Sequence, residues 1–170
     1  MIIAAVTFTQ VVLAIHIIAA VVGFGVVFAY PLLFAAAART DPHVTPWLLR
    51  TRQRMGRVLV NPGLIVVLVA GIYLASKLHQ WKEFYVQWGL GAVIVIGAIE
   101  GAIMIPRSGR LAVVAERDLA GAAVPAGGQR TSATWSSEYQ AGSRLLWGGG
   151  AALQIIVLLT VFFMATQLGT

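Results

Sequence analysis

Two ionisable side chains fall inside the apolar stretches of this 170-residue chain, His16 and Glu100. An ionisable group at membrane depth is a functional-site candidate by default, because moving charge out of water is costly. An imidazole there could ligate haem or a metal, or hand on a proton. A carboxylate could carry a proton or a cation. Neither has the company that catalysis needs. His16, His43 and His79 include no i, i+3 or i, i+4 pair that would make a local metal site. Cysteine is absent, so there is no thiolate ligand, nucleophilic thiol or disulfide. No phosphate-binding, dinucleotide-binding or nucleophile-elbow pattern occurs. Hydrolysis and acid–base chemistry lack convergent groups, so a non-catalytic role is expected.

The elements that must position these two groups follow from composition. Hydrophobic residues make up 59% of the chain and charged residues 11%. A soluble domain has roughly a quarter of its residues charged, so a soluble globular domain is excluded, and so is a disordered chain. Four stretches, about 6–30, 60–78, 84–105 and 145–167, approach or exceed the roughly 20 residues a helix needs to cross a bilayer. Period-2 alternation is missing, which argues against membrane strands. The expected fold is all-α: one domain over 1–170, a polytopic transmembrane four-helix bundle with a cytoplasmic amphipathic helix. The first stretch has no basic start and is too long for a signal-peptide core, so it reads as a span. Pro31 is expected to kink it and leave 32–39 as a short extension.

The connections have their own signals. Thr45-Pro46 reads as a helix start, with Thr45 as N-cap and Pro46 at the first helical position. On the helix that follows, Trp47, Thr51, Met55 and Val58 share one face. Arg50, Arg54 and Arg57 share the opposite one, suited to an anionic lipid surface, with Arg52 to the side. Asn61-Pro62 reads as a second cap-plus-proline start. In the last loop, 106–144, residues 108–119 read as helix, 121–128 as a flexible break, and 135–144 as a return to helix.

The chain carries 12 Lys and Arg against 6 Asp and Glu. Ten of the cations, all arginines, fall in loops 39–59 and 106–144, against Lys77 and Lys82 in the loop between spans two and three. By the positive-inside rule both arginine-bearing loops are cytoplasmic and both termini lie outside, in a multi-pass protein of the plasma membrane. Topology and anionic lipid account for the basic surplus, so no nucleic-acid partner is expected. Trp81, Tyr85 and Trp88 form an outer aromatic belt, and Trp47, Trp135 and Trp147 an inner one.

Small residues four apart mark close helix contacts in lipid: Ala19 and Gly23, Gly71 and Ala75, Gly97 and Gly101, Gly148 and Ala152. They read as packing within the bundle, and a homo-oligomer or a larger membrane complex is the expected company. At about 1.5 Å per residue, His16 and Glu100 differ in depth by roughly 8–10 Å and are not expected to touch. For His16 the favoured reading is a side chain bonded to a carbonyl or a glutamine across the bundle. Haem would need a second ligand at its depth, and His43, His79, Met104 and Met164 do not match. For Glu100 the favoured reading is a carboxylate reaching Arg107, Arg110 or the 50–57 helix, ahead of a proton or small-solute pathway.

Several short motifs together resemble a family of uncharacterised bacterial four-span integral membrane proteins. They are Ile15-His16-Ile17-Ile18-Ala19-Ala20 followed by Gly23, Asn61-Pro62-Gly63-Leu64 leading to Ala70-Gly71-Ile72-Tyr73-Leu74, Trp81 and Trp88, and Val161-Phe162-Phe163-Met164. The resemblance implies a four-span bundle and no particular chemistry. The early-helix histidine followed by small residues is also more distantly similar to the copper-resistance D and membrane protoporphyrinogen-oxidase-like families. That likeness implies haem or copper handling, with His16 as the one residue that carries over.

Overall fold

The structure, a computed structural model, describes residues 6–121 and 134–167, with residues 38–40 described by backbone alone. Six α-helices form among the described residues: α1 (Phe8–Thr40), α2 (Thr45–Met55), α3 (Asn61–Lys77), α4 (Phe84–Ile99), α5 (Ile105–Gly121) and α6 (Ser137–Thr166). No strand occurs among the described residues. The sequence break at 121–128 lies, apart from Gly121 at the end of α5, outside them.

Local chemistry sets the ends. Thr7 and Gln10 form a reciprocal capping box: the Thr7 hydroxyl accepts from the Gln10 N–H, and the Gln10 amide oxygen accepts from the Thr7 N–H. The helix then runs unbroken through Pro31 to Thr40, so 32–39 is a continuation of α1. Thr45 does not cap. It lies in the αR region, and the chain turns earlier, where the extended residue Asp41 accepts from the His43 N–H at 2.9 Å and a 3₁₀ turn, Pro42–Val44, leads into α2. Asp41-Pro42 carries the same cap-plus-proline chemistry as Thr45-Pro46 and comes first. At its far end α3 closes with His79 in the left-handed region (φ 57°), while the Gln80 N–H reaches back to the Ala75 carbonyl. This arrangement satisfies the last carbonyls of a helix.

Asn61-Pro62 is not a helix start either. Asn61 is helical, and the chain passes from α2 to α3 through a π turn, Gly56–Val60, in which the Asn61 N–H bonds to the Gly56 carbonyl. A second π turn, Glu100–Met104, joins α4 to α5, with the Ile105 N–H on the Glu100 carbonyl. A proline follows two residues after the end of each: Pro62 and Pro106. Proline has no N–H and clashes with the carbonyl four residues back. Widening the preceding turn by one residue lets the helix continue past it. Two long continuous rods result, Pro42–Lys77 and Phe84–Gly121.

The apolar segments pack α1 on α3, α3 on α4, α4 on α6, and α6 back on α1. Beyond the π turns, α2 packs along α5, and α5 on α6. The core is continuous, from Val27, Leu64 and Ile96 through Leu153 and Met104 to Leu49, Leu111, Ala112 and Ala115. It is also too small for so apolar a chain. Between 11% and 33% of the most apolar window of each rod is buried inside the molecule. Ile18, Val21, Ile65, Val69, Ile94 and Phe162 all stand exposed. Apolar surface on this scale needs a non-aqueous neighbour, and four rods of sufficient length and apolarity supply the geometry of a membrane bundle.

Candidate functional site

Where the two π turns meet, the bundle holds its charged core. α2 presents three faces. Trp47, Met55 and Val58 are exposed, and so are Arg50, Arg54 and Arg57. The third face, Thr45, Leu48, Leu49, Arg52 and Gly56, is buried. Its spacing follows the helical repeat, so an arginine is carried inward among leucines. Gly56 lies where its rod meets the other: a Cβ there would come within 2.6 Å of Ile105 Cγ1. The matching stripe on α5 is Ile105, Ser108, Leu111, Ala112 and Ala115.

Four side chains of three rods converge. Arg52 Nη1 donates to Ser108 Oγ at 2.9 Å, and the Ser108 hydroxyl donates in turn to the Met104 carbonyl at 2.8 Å. Arg52 Nη2 stands 3.8 Å from Glu100 Oε1. The Tyr30 hydroxyl donates to the Arg52 carbonyl at 3.4 Å, and the Tyr30 ring lies 5.2 Å from the guanidinium carbon, within cation–π range. Arg52, Glu100 and Ser108 are 7%, 3% and 0% exposed. Glu100 opens its π turn, and the turn's irregular backbone lies directly beside the ion pair. A buried charge is tolerated when paired, and here each ion is the other's partner.

A cavity of about 270 Å³ adjoins this cluster, walled by α1, α2, α5 and α6. Arg52, Tyr30, Tyr139, Ser143 and Gln154 give it polar atoms; Phe34, Leu111, Leu146 and Trp147 give it apolar walls. Glu100 is not part of its lining.

His16 lies elsewhere, between α1 and α3. Its ring packs where Gly71 has no side chain, Cε1 being 3.3 Å from where a Cβ would sit, and it meets the Val67 carbonyl. Its Nδ1 is buried with no hydrogen-bond partner among the described residues. Among the described residues, no three His, Asp or Glu side chains gather in a way that could hold a metal ion. His16 and Glu100 thus belong to separate neighbourhoods.

The small residues separate into two groups. Gly23 and Gly63 touch across α1 and α3, Gly63 being a residue the four-apart spacing did not single out. Gly71 meets His16, and a Cβ on Gly97 would reach Leu64. Gly101 and Gly148 face open space within this chain, while Ala19 is half-buried at the α1–α3 contact, Ala75 is buried and Ala152 is exposed. Arg50 pairs with Glu116 at 2.7 Å on the surface; Arg54 and Arg57 stay exposed. At the other end of the bundle, Trp88 Nε1 donates to Thr160 Oγ1 at 3.1 Å, and Trp88, Phe84 and Phe163 form an aromatic cluster.

Arg52 is the residue that the sequence does not announce. Read as one of a run of surface arginines, it disappears into the loop count. The available signal was its place three and four residues after Leu49 and Leu48, on the face that also bears Gly56.

Four apolar rods around a paired internal charge define an integral membrane protein. The chain belongs to the family described as predicted integral membrane protein (DUF2269), whose model matches residues 10–166. Comparison with curated proteins and with solved structures gave no match.

Proposed function

We propose that the protein is a non-catalytic membrane bundle, an accessory or self-associating component whose rods are locked by the Arg52–Glu100 pair. The pair is the observation that carries this reading. The carboxylate of the spans is engaged by an arginine, a serine and a tyrosine complete the cluster, and a relay would need Glu100 free to change partners. A plasma-membrane location with the arginine-bearing loops inside accords with the charge pattern. Discounting Arg52 as internal, nine cations remain in those loops against two in the opposite one. Packing of α2 on α5 brings both loops to one end of the bundle. There the exposed Trp47, Met55 and Val58 beside Arg54 and Arg57 suit an interface rich in anionic lipid.

Two measurements test the reading. Purified protein is expected to show no Soret band after haem addition and reduction; a band abolished by His16→Leu would replace this reading with haem handling. Proton flux into vesicles is expected to be the same with wild-type protein and Glu100→Gln. Flux that depends on Glu100 would establish a pathway instead.

A further inference from the structure

We propose that the cavity beside Arg52 is a binding site for an acidic amphiphile: one carboxylate or phosphate headgroup on an alkyl chain. The argument begins with the donors of the guanidinium. Arginine offers five N–H groups in a planar fork. Among the described residues the Arg52 guanidinium makes one hydrogen bond, to Ser108; the Glu100 oxygen, at 3.8 Å, is an ionic neighbour beyond hydrogen-bond length. A side chain that is 7% exposed and keeps unspent donors is an anion receptor in waiting.

The surroundings decide which anion. Arg52 lines the cavity and Glu100 does not, so the space meets the cationic side of the pair with the carboxylate behind it. No carboxylate is among the lining residues. Tyr139, Ser143 and Gln154 add polar atoms on the α6 wall. The rest is hydrocarbon and aromatic: Val27, Phe34, Leu146 and Trp147, from helices whose outer surfaces face lipid. A small hydrophilic anion would leave these walls unused, and a neutral chain would leave the guanidinium donors unused. About 270 Å³ is below the roughly 300–1,000 Å³ that encloses a drug-sized ligand. It accommodates a headgroup and the first part of a chain, the remainder continuing along the apolar helix surface. Ligand binding goes beyond the clamp role proposed above and does not require it.

The test uses the full chain in a zwitterionic lipid disc, with native mass spectrometry as the readout. Palmitate, dodecyl phosphate, hexadecanol and inorganic phosphate are titrated separately. One palmitate or one dodecyl phosphate is expected to bind per chain, with hexadecanol at least about tenfold weaker, the equivalent of one charge-assisted hydrogen bond. Arg52→Gln is expected to lose this preference. Because that variant removes half of an ion pair and risks misfolding, Gly150→Leu provides the second arm. Gly150 lines the cavity, and a Cβ there meets no atom within 4 Å. The added side chain fills the site and leaves the pair intact, so palmitate binding should fall at least about tenfold. Hexadecanol binding as tightly as palmitate, inorganic phosphate displacing palmitate at equal concentration, or Gly150→Leu binding palmitate like wild type would each overturn the proposal.

Discussion

Arg52 Nη2 lies 3.8 Å from Glu100 Oε1, and both residues stand at a π turn: Arg52 four residues before Gly56, Glu100 as the first residue of the second turn. The two widened turns touch, so the site where each rod departs from α geometry is also where the rods exchange charge. Irregular helix and buried ions usually need separate explanations. Here Pro62 and Pro106 account for the widening, and the pairing accounts for how two ions survive among leucines.

The crossing of the rods depends on Gly56. A Cβ there would stand 2.6 Å from Ile105 Cγ1 and 2.9 Å from Cδ1. Gly56→Val is expected to destabilise the protein by about 1–3 kcal/mol through overpacking. Adding Ile105→Ala should recover part of that loss. Thermal unfolding in detergent measures both; a Gly56→Val protein as stable as wild type would refute the close approach.

The four spans and the all-helical class were legible because they follow from run length and composition, which lipid enforces without regard to detail. Asn61-Pro62 shows where such reading stops. The dipeptide reads as a cap, but it lies inside a continuous rod, since a proline can be passed by a π turn and the one-residue shift leaves no compositional trace. Arg52 was hidden for a related reason. Loop arginines are counted by the side of the membrane they mark, and the spacing of this one from Leu48, Leu49 and Gly56 gains its meaning only once α2 is packed against α5. Glu100 and His16 were visible because an ionisable group inside a span is rare. That Glu100 reaches the 50–57 helix is among the pairings the sequence suggests; which arginine meets it is not, because Arg52 shares that helix with the exposed Arg50, Arg54 and Arg57.

Close approach of α1 to α3 gives a second prediction. The Cβ of any residue replacing Gly63 would meet Gly23 Cα at 3.2 Å and the Ala19 carbonyl oxygen at 3.5 Å, both backbone atoms with little freedom to yield. At Gly101 there is open space. Gly63→Leu should therefore cost about 1–3 kcal/mol, whereas Gly101→Leu should stay within about 0.5 kcal/mol of wild type. Equal losses in the two variants would contradict the assigned packing.

The N-terminal end of α6 carries an acid-sensitive fastening. Asp118 accepts from the Ser136 hydroxyl at 2.7 Å and from the Ser136 N–H at 2.9 Å. These bonds, the hydroxyl first, hold its carboxyl below the usual range, and the neighbouring Arg117 guanidinium adds to the effect. The folded state thus favours the charged form. The stabilisation is present above the ordinary carboxylate value, about 3.9, and is lost as pH falls through the lowered folded value. The unfolding midpoint is expected to drop more steeply below about pH 4 for wild type than for Asp118→Asn. Identical pH profiles for the two proteins would rule the fastening out.

Trp88 ties α4 to α6 through Thr160, whose hydroxyl also donates to the Ile156 carbonyl at 2.7 Å. Trp88→Phe keeps an aromatic ring beside Phe84 and Phe163 but removes the donor. A loss of about 0.5–1.5 kcal/mol is expected, with no change in the Arg52 region. Chemical denaturation of the variant in mixed micelles provides the measurement.

The central claim is that Arg52 and Glu100 act as one structural unit, and a double-mutant cycle on unfolding free energy tests it most directly. Arg52→Met or Glu100→Leu alone strands a buried charge and should each cost about 3–5 kcal/mol. The double variant, with both charges gone, should lose clearly less than the sum of the two, leaving a coupling of about 1–3 kcal/mol. Additive losses, or a Glu100→Leu protein as stable as wild type, would contradict the account.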